Sequence, residues 1–483
     1  MKTRTLIMAL FLTFAGTLQA QVGLFKRLPD AEIEFAQSRT GLRSNSITDI
    51  VIYNDAIWLG TDKGVSVSRD GGATWTTYGH EDGIGRGSVS AIAVNDTIVW
   101  VATAFDSLTR DAGELPAGGG LAYSLDGGQT WTHIEQPGPT PVQNVTFDIA
   151  LHTDGSVWIT SWGGGVQRSF DLGKTWEVVP PDTFFFDPLG QLNHRGFSVI
   201  SADGVLWVGT AGGINKSLDN GKTWINFRFQ NQEQPISGNF VVALGHQEFN
   251  GVDYIWAATI NAEDPNEFRA VSITDDGGFT WRTTLEGVFA HNFAFDDSAT
   301  YVAADAGLFK SLDFGYTWAK FPPIVDAEQG IEYLSEEYFT AGVDRDHVLW
   351  VGGPDGLART ADDGRTWRIL RGTVQPGSEG EPRTFAYPSP FSPQRHNTLG
   401  SDGYIRFQYN TTRPTRVTIR IYNMAMEPVA EVVTGKERPA NGTFFEIWNG
   451  RNDRGEVVAN GVYFYSLHLE GEGVFWGKFI VMD

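Results

Sequence analysis

The sequence predicts an all-β protein, a seven-bladed β-propeller followed by an immunoglobulin-like β-sandwich. Two observations lead to this fold class. An eight-residue motif, [ST]-x-D-x-G-x-T-W, occurs seven times between residues 68 and 367, each time after a short apolar strand with an aromatic residue. After the last copy the composition changes, and about six runs of alternating apolar and polar residues, typical of half-buried antiparallel strands, fill the rest of the chain.

The repeated unit contains four short strands. The strand before each motif carries an aromatic residue, as in AIWLGT (Trp58) and LWVGT (Trp207), and another β-rich run precedes it. Four-stranded units repeating every 40 to 50 residues or so are typical of propeller blades, because one small sheet cannot bury both its faces alone. Two units contain insertions, near 104–118 and 260–268. Residues 31–47 are similar to the outer strand and following loop of unit one and offer an extra strand for ring closure, but unit seven has its own outer strand, TWRIL.

The residue types of the motif suit a tight turn between two strands. An Asp side chain accepts hydrogen bonds from backbone N–H groups a few residues further on, and glycine adopts the positive φ that turns require. The tryptophan begins the outer strand as a large apolar wedge. We therefore assign a structural role to the motif residues Asp70, Asp126, Asp171, Asp219, Asp276, Asp313, Asp362, Trp75, Trp131, Trp176, Trp224, Trp281, Trp318 and Trp367.

These seven copies resemble Asp-box (BNR-like) repeats, which occur in sialidases, some endoglucanases, sortilin-like receptors and photosystem-assembly propellers. In such families the box is a turn at the blade periphery, remote from the ligand site. The Phe-Arg-Ile-Pro element of sialidases does not occur in this sequence. The resemblance therefore implies the fold and leaves the activity open.

The N-terminus predicts export. Residues 1–20, MKTRTLIMALFLTFAGTLQA, combine basic residues, an apolar run and a small residue before the expected cleavage point, as a signal peptide does. No later run approaches the roughly 20 apolar residues of a spanning helix, so we expect a protein that is not transmembrane. The net charge of −22 argues against nucleic acid as a partner. We expect a secreted or outer-surface location, with the periplasm as the alternative.

The predicted domains are the propeller at 21–372, a linker at 373–384 and the sandwich at 385–483. In the sandwich, YPSPFSP, WNGRNDRGEVVANGVYFYSL and GKFIV resemble the FlgD-like immunoglobulin-like domain of flagellar hook-capping proteins, which overlaps the type A sorting domain of type IX secretion. That resemblance implies passage through the outer membrane, with the secretion machinery as a partner, or an adhesion module. The loop 449–456 has oxygen ligands that suit calcium, but its glycines favour a hairpin turn, so we predict no metal and no cofactor.

In a propeller, the loops between the second and third strands share one face with the loops between blades, opposite the Asp boxes. The long segments 179–196 and 321–337 enlarge that face. Trp162, with Phe184, Phe185 and Phe186, is the predicted ligand-binding group, able to stack on a sugar or grip a peptide; the alternative is a buried plug under the loops. The candidates for the paired carboxylates of glycoside hydrolysis are Asp182, Asp187, Glu332, Glu336 and Glu337.

The sequence thus favours a non-catalytic binding or scaffold protein that presents a loop-rich face to an extracellular glycan or protein. The alternative function is an extracellular glycoside hydrolase, sialidase-like or endoglucanase-like, with carboxylates supplied by the long loops.

Overall fold

The computed structural model describes residues 41–109, 113–182, 185–372, 376–377, 382–399 and 402–483. The predicted signal peptide, most of the strand-like segment 31–47 and Phe184 lie outside these residues. The chain divides into two compact units, of which the first ends at Gly372. In the part of the chain that is described, no helix is long and apolar enough to cross a membrane.

The first unit contains seven four-stranded antiparallel sheets, each built from four consecutive strands that we call a blade. Blades 1 and 2 consist of β1 (Ile47–Tyr53), β2 (Ala56–Thr61), β3 (Gly64–Ser68), β4 (Thr76–Tyr78), β5 (Ser88–Asn95), β6 (Ile98–Thr109), β7 (Gly113–Ser124) and β8 (Thr132–Ile134). Blades 3 and 4 consist of β9 (Thr146–Leu151), β10 (Val157–Ser161), β11 (Gly165–Ser169), β12 (Glu177–Val178), β13 (Gly196–Ala202), β14 (Val205–Thr210), β15 (Gly213–Ser217) and β16 (Ile225–Phe227).

Blades 5 and 6 consist of β17 (Phe240–Phe249), β18 (Val252–Ile260), β19 (Ala270–Thr274), β20 (Arg282–Thr284), β21 (Ala290–Asp296), β22 (Ala299–Ala304), β23 (Gly307–Ser311) and β24 (Ala319–Lys320). A small hairpin follows, β25 (Val325–Asp326) with β26 (Ile331–Glu332). Blade 7 consists of β27 (Thr340–Val343), β28 (Leu349–Gly353), β29 (Gly356–Thr360) and β30 (Arg368–Leu370). Two 3-10 turns, His80–Asp82 and Leu192–His194, lie between blades. The predicted propeller and the all-β fold class are confirmed.

The insertion near 104–118 is a hairpin and not an irregular loop. Strands β6 and β7 pair as far as Thr109 and Gly113, with one register shift between Thr103 and Ala104, and the second and third strands of blade 2 are each 12 residues long. In blade 1 the corresponding strands have six and five residues. Blade 2 therefore extends beyond the other blades at the end where its second strand turns into its third.

The seven Asp boxes have the same local geometry. In each box the threonine N–H donates to one carboxylate oxygen at 2.8–3.0 Å, and the threonine hydroxyl donates to the other at 2.5–2.7 Å. The Ser or Thr hydroxyl that opens the box accepts the N–H of the box glycine. The hydrogen bonds from Thr74 lower the pKa of Asp70 to about 2. Both oxygens of the box carboxylate thus accept hydrogen bonds that stabilise the turn.

Each box also forms a packing socket for apolar side chains of the preceding blade. The second-strand tryptophan of one blade meets the box tryptophan of the next in an edge-to-face contact, with ring centroids 6.2–6.5 Å apart in six of the seven junctions. In the seventh, Tyr301 reaches Trp367 through Phe321. A Cβ on any of the seven box glycines would come within 2.3–2.8 Å of an apolar side chain of the preceding blade. Glycine is therefore required by packing as well as by its positive φ.

The ring closes with the same contact. Trp350 of blade 7 packs edge-to-face on Trp75 of blade 1, and a Cβ on Gly72 would lie 2.5 Å from the Trp350 ring. On the innermost strands, Thr340 Oγ1 accepts the Ile50 N–H at 3.0 Å. The Gly356 N–H of blade 7 also donates to the carbonyl of Asn45, just before β1, at 2.6 Å. Blade 7 has its own outer strand, β30, so within the described residues closure uses these contacts and not an exchanged strand.

The second unit is a two-layer β-sandwich. One sheet has the strand order β31 (Thr384–Tyr387), β32 (Ile405–Asn410), β35 (Thr443–Trp448); the other has β34 (Pro428–Arg438), β33 (Thr415–Tyr422), β36 (Gly461–Leu469), β37 (Gly473–Val481). Alternate residues of these strands point inward, as Val417, Ile419 and Ile421 do on β33, and they form one apolar core. The period-2 pattern in the sequence thus corresponds to the buried face of the sandwich.

Two adjacent glycines in the first box allow the packing contribution of the socket to be measured separately from the cost of a positive φ in the turn. Gly71 and Gly72 both have positive φ, but a Cβ at Gly71 would meet nothing within 4 Å. We expect Gly71→Ala to cost about 1 kcal/mol of unfolding free energy, the ordinary cost of a left-handed alanine. Gly72→Ala is expected to cost about 2–4 kcal/mol because the methyl group also displaces the Trp350 ring. Calorimetric unfolding of both variants measures the difference, and equal losses would contradict the socket.

Candidate functional site

The loop between blades 3 and 4 is held by one buried histidine. His194 is fully buried; its Nδ1 accepts the Asp187 N–H at 2.8 Å and its Nε2 lies 2.9 Å from Asp182 Oδ1. Since Nδ1 accepts, the proton is on Nε2 and is donated to Asp182. Two separate points of residues 179–195 are therefore tied to the same ring.

Trp162 lies beside this loop, in the turn between β10 and β11. The Arg195 guanidinium covers one face of its ring, 5.0 Å from the centroid. Trp162 is half-buried and packs against the apolar cluster that contains Phe197 and Phe240, with its indole N–H buried and without a hydrogen-bond partner in the described residues. The sequence left open whether Trp162 is an exposed platform or a buried plug. In the structure its side chain is half-buried, and Arg195 covers its outer face.

The neighbouring phenylalanines differ in exposure. Phe186 is half-buried and stacks on His194, with ring centroids 5.6 Å apart. Phe185 is 92% exposed, and Leu189 on the same loop is 64% exposed. Phe184 lies outside the described residues. The loop thus presents one fully projecting aromatic ring above a region fixed by Phe186 and His194.

The candidate carboxylates of this loop have local partners. Asp182 accepts from His194, and Asp187 Oδ1 accepts the N–H groups of Leu189 and Gly190 at 3.1 and 3.0 Å. Both carboxylates therefore stabilise the loop conformation.

The other three candidates belong to the segment between blades 6 and 7, across the ring from blades 3 and 4. Glu332 ends β26 and is half-buried, and Glu336 is exposed. Glu337 Oε1 lies 3.5 Å from Nε2 of His291, whose side chain is only 4% exposed. The blade order thus places the two carboxylate groups on opposite sides of the mouth.

Sequence reasoning missed two aspartates in the central channel, a cavity of about 540 Å³ lined by the innermost strands. Asp49 on β1 accepts the Ile92 N–H of blade 2 at 3.0 Å. Asp148 on β9 accepts the Val199 N–H and the Ser198 hydroxyl of blade 4 at 2.9 and 2.8 Å. Each carboxylate therefore joins two neighbouring innermost strands.

Burial changes the ionisation of this pair. Desolvation, together with repulsion from Asp148, raises the pKa of Asp49 to about 7. Desolvation also raises the pKa of Asp148 to about 6, against the lowering effect of its hydrogen bonds. A signal for both residues exists in the sequence, because ITDIVI and TFDIAL each place one acid inside an otherwise apolar innermost strand. Such an acid must have a specific partner.

Two groups on the face that carries the Asp boxes have ligand atoms close enough to share a metal ion, Asp203 with His246 and Asp253, and Asp296 with Asp297 and His347. Within each group a histidine nitrogen already bonds a carboxylate, at 2.7 and 2.6 Å. The loop 449–456 forms a turn in which Asn452 Oδ1 accepts the N–H groups of Arg454 and Glu456 at 3.0 Å each. In all three places hydrogen bonds within the chain account for the geometry.

Comparisons with known proteins agree with the fold. The BNR/Asp-box repeat family matches residues 122–133. The xyloglucanase Xgh74A of Acetivibrio thermocellus is 27% identical over 269 residues, which are 47% of this chain and 30% of that enzyme. This chain thus spans less than a third of the curated relative that it matches.

Two solved structures extend the likeness. The GH74 enzyme of Niastella koreensis has a TM-score of 0.54 at 13% identity, covering 91% of this chain and 67% of the other. An ancestral GH74 enzyme has a TM-score of 0.51 at 15% identity, covering 92% and 64%. Such identities show the fold alone, and the first unit of this chain is therefore placed among the β-propellers.

The raised pKa of Asp49 makes the stability of the propeller depend on pH. Its folded pKa of about 7 lies above the unfolded value of 3.8, so its contribution is fully present below about pH 4 and is lost as the pH rises towards 7. Asp49→Asn keeps an oxygen for the Ile92 N–H and cannot ionise. The wild type should lose stability from pH 4 to pH 8 while the variant does not lose this contribution. We therefore expect the difference in unfolding free energy to shift by about 1–3 kcal/mol in favour of the variant from pH 4 to pH 8.

Urea unfolding at both pH values measures this gain. Asp148→Asn is the matched comparison: both of its oxygens accept hydrogen bonds, so one bond is lost and a smaller gain is expected. A pH profile of Asp49→Asn that is parallel to the wild type would contradict the assignment.

Proposed function

We propose that this chain is an exported, non-catalytic binding protein that holds an extracellular glycan or protein through its loop-rich face. The observation that carries the proposal is Phe185, a 92% exposed aromatic ring on a loop tied at two points to the buried His194. An exposed ring on a fixed loop offers apolar contact area without the entropic cost of ordering the loop.

The chemistry around Phe185 suits a sugar chain. Trp162 and Arg195 form a stacked pair nearby, and exposed Leu189 extends the apolar surface of the loop. Aromatic and guanidinium planes stack on the apolar faces of sugar rings, while the polar rim bonds hydroxyl groups. The name of the curated relative, a xyloglucanase, makes a β-glucan the first ligand to test.

The local hydrogen bonds of Asp182 and Asp187 favour binding over hydrolysis. A glycosidase needs one carboxyl group as an acid and a second as a nucleophile or base, facing each other across the scissile bond. Asp182 and Asp187 are instead hydrogen-bonded within their own loop. The similarity to Xgh74A favours the second candidate function, an extracellular glycoside hydrolase, and is the reason for testing hydrolysis directly.

The sandwich at 385–483 is proposed to serve secretion or surface attachment. Support comes from its resemblance to FlgD-like and type A sorting domains and from the signal-like residues 1–20. The protein would then act outside the cell or on its outer surface, with the outer-membrane secretion machinery as a further partner. A periplasmic location is the alternative.

Removal of Phe185 tests the binding face. Phe185→Ala is expected to weaken binding to xyloglucan oligosaccharides, or to the best ligand on a glycan array, about tenfold, because central aromatic contacts dominate such interfaces. The melting temperature should not change, since the ring is exposed. Leu108→Ala is the matched control, an 85% exposed apolar residue on the blade 2 hairpin. Trp162→Ala tests the neighbouring pair, and equal binding by all three variants would remove this loop from the site.

The hydrolase alternative is tested with the same protein. Release of reducing ends from xyloglucan and from sialylated glycans is measured for the wild type and for Asp182→Asn and Asp187→Asn. We expect no release above that of heat-denatured protein. Hydrolysis that either substitution abolishes would replace the binding proposal with the enzymatic one.

A further inference from the structure

A second pocket lies at the base of the blade 2 hairpin, on the same loop-rich face. Its volume is about 290 Å³, and its walls come from the loop after blade 1, the hairpin itself and the segment after β8. The hairpin exists only because of the insertion in blade 2, so this pocket is not a feature of the repeated blade.

The pocket presents an exposed arginine in an acidic protein. The chain has a net charge of −22, yet Arg86, His80 and His133 line this pocket together with a single carboxylate, Glu135. The Arg86 side chain is exposed and forms no hydrogen bond or ion pair with any residue that the structure describes. Its guanidinium carbon lies over the Phe105 ring, 4.0 Å from the centroid. The five N–H donors of this group therefore remain available to a ligand.

Close backbone packing holds Arg86 in place. Its N–H donates to the Gly119 carbonyl at 3.0 Å, and a Cβ on Gly119 would lie 1.9 Å from the Arg86 carbonyl oxygen. A Cβ on Gly87 would lie 2.1 Å from the Ala104 carbonyl oxygen. Glycines thus let the loop lie flush against the hairpin, so the backbone of Arg86 is fixed at the rim of the pocket.

The floor of the pocket is also fixed. Gly118, Gly119 and Gly120 follow one another in β7 and line it without side chains. The Gly118 N–H donates to the Pro141 carbonyl at 2.9 Å, which ties the hairpin to the segment after blade 2. A Cβ on Gly118 would lie 2.3 Å from the Gln136 side chain and one on Gly120 2.5 Å from the His133 ring, so these two side chains lie against the strand and form the surface that a ligand meets.

We propose that this pocket binds a carboxylate-bearing sugar residue of an acidic extracellular polysaccharide. The Arg86 fork takes the carboxylate through two parallel hydrogen bonds, the sugar ring lies on the floor formed by Gln136 and His133, and Glu135 and the imidazoles bond its hydroxyls. A free anion lacks the ring and the hydroxyls, so the floor and Glu135 favour a sugar over inorganic phosphate. This inference rests on the proposed glycan-binding function of the loop-rich face and adds a site with its own ligand class.

The test is calorimetric titration of the full chain with a galacturonate trimer and with its methyl ester, which lacks the charges. We expect the trimer to bind and the ester to bind at least tenfold more weakly. Arg86→Ala should weaken trimer binding at least tenfold, and Arg86→Lys should recover only part of it because the fork is lost. Arg228→Ala is the matched control, since Arg228 is also exposed and follows the outer strand of blade 4.

Each outcome decides the inference separately from the proposed function. Equal affinity for trimer and ester, unchanged binding in Arg86→Ala, or an equal loss in Arg228→Ala would overturn it. Neutral glycan binding that depends on Phe185, without any trimer binding, would overturn the acidic-sugar site and leave the proposed function in place. Trimer binding that depends on Arg86, without binding at Phe185, would keep this site and remove the other.

Discussion

The contact between one blade's second-strand aromatic ring and the next blade's Asp box is the interaction on which this propeller depends. A four-stranded sheet has two apolar faces, and each must be covered by a neighbour. The aromatic ring enters a socket whose floor is a glycine and whose shape is held by the Asp and Thr hydrogen bonds of the turn. Trp350 and Gly72 repeat the contact between the last blade and the first, so the ring closes with the interaction that builds it.

The innermost strands need a different solution. Their inner edges have no further strand to pair with, and unpaired backbone N–H groups would be costly in a narrow channel. Side chains of the preceding blade accept some of these groups: Thr340 in blade 7, Asp49 in blade 1, Asp148 in blade 3 and Ser198 in blade 4. Two of these acceptors are carboxyl groups, so the belt that joins the blades also introduces the two raised pKa values of the channel.

Contacts at the periphery and along the axis hold the ring together. The loops on the loop-rich face can therefore differ from blade to blade. Three of the enlarged segments on that face have their own anchors. His194 fixes the loop between blades 3 and 4, and Glu267 accepts the N–H groups of Asn239 and Ala262 to fix the blade 5 insertion. Glycine packing fixes the blade 2 hairpin. Rigid loops on a rigid ring are what a binding face requires, because little conformational entropy is then lost when a ligand binds.

The sequence by itself determined the all-β class, the propeller and the structural character of the Asp boxes, because these depend on local patterns that repeat: the period of the strands, the turn residues and the spacing of the tryptophans. It also located the faces of the sandwich, through alternation. Only the tertiary structure decided what the single, unrepeated residues do. His194 and its contacts with Asp182 and Asp187, the stacking of Arg195 on Trp162 and the pairing of Asp148 with blade 4 join residues from different strands and loops. Nothing in the sequence fixes such distances, since they arise from how the blades and loops pack together.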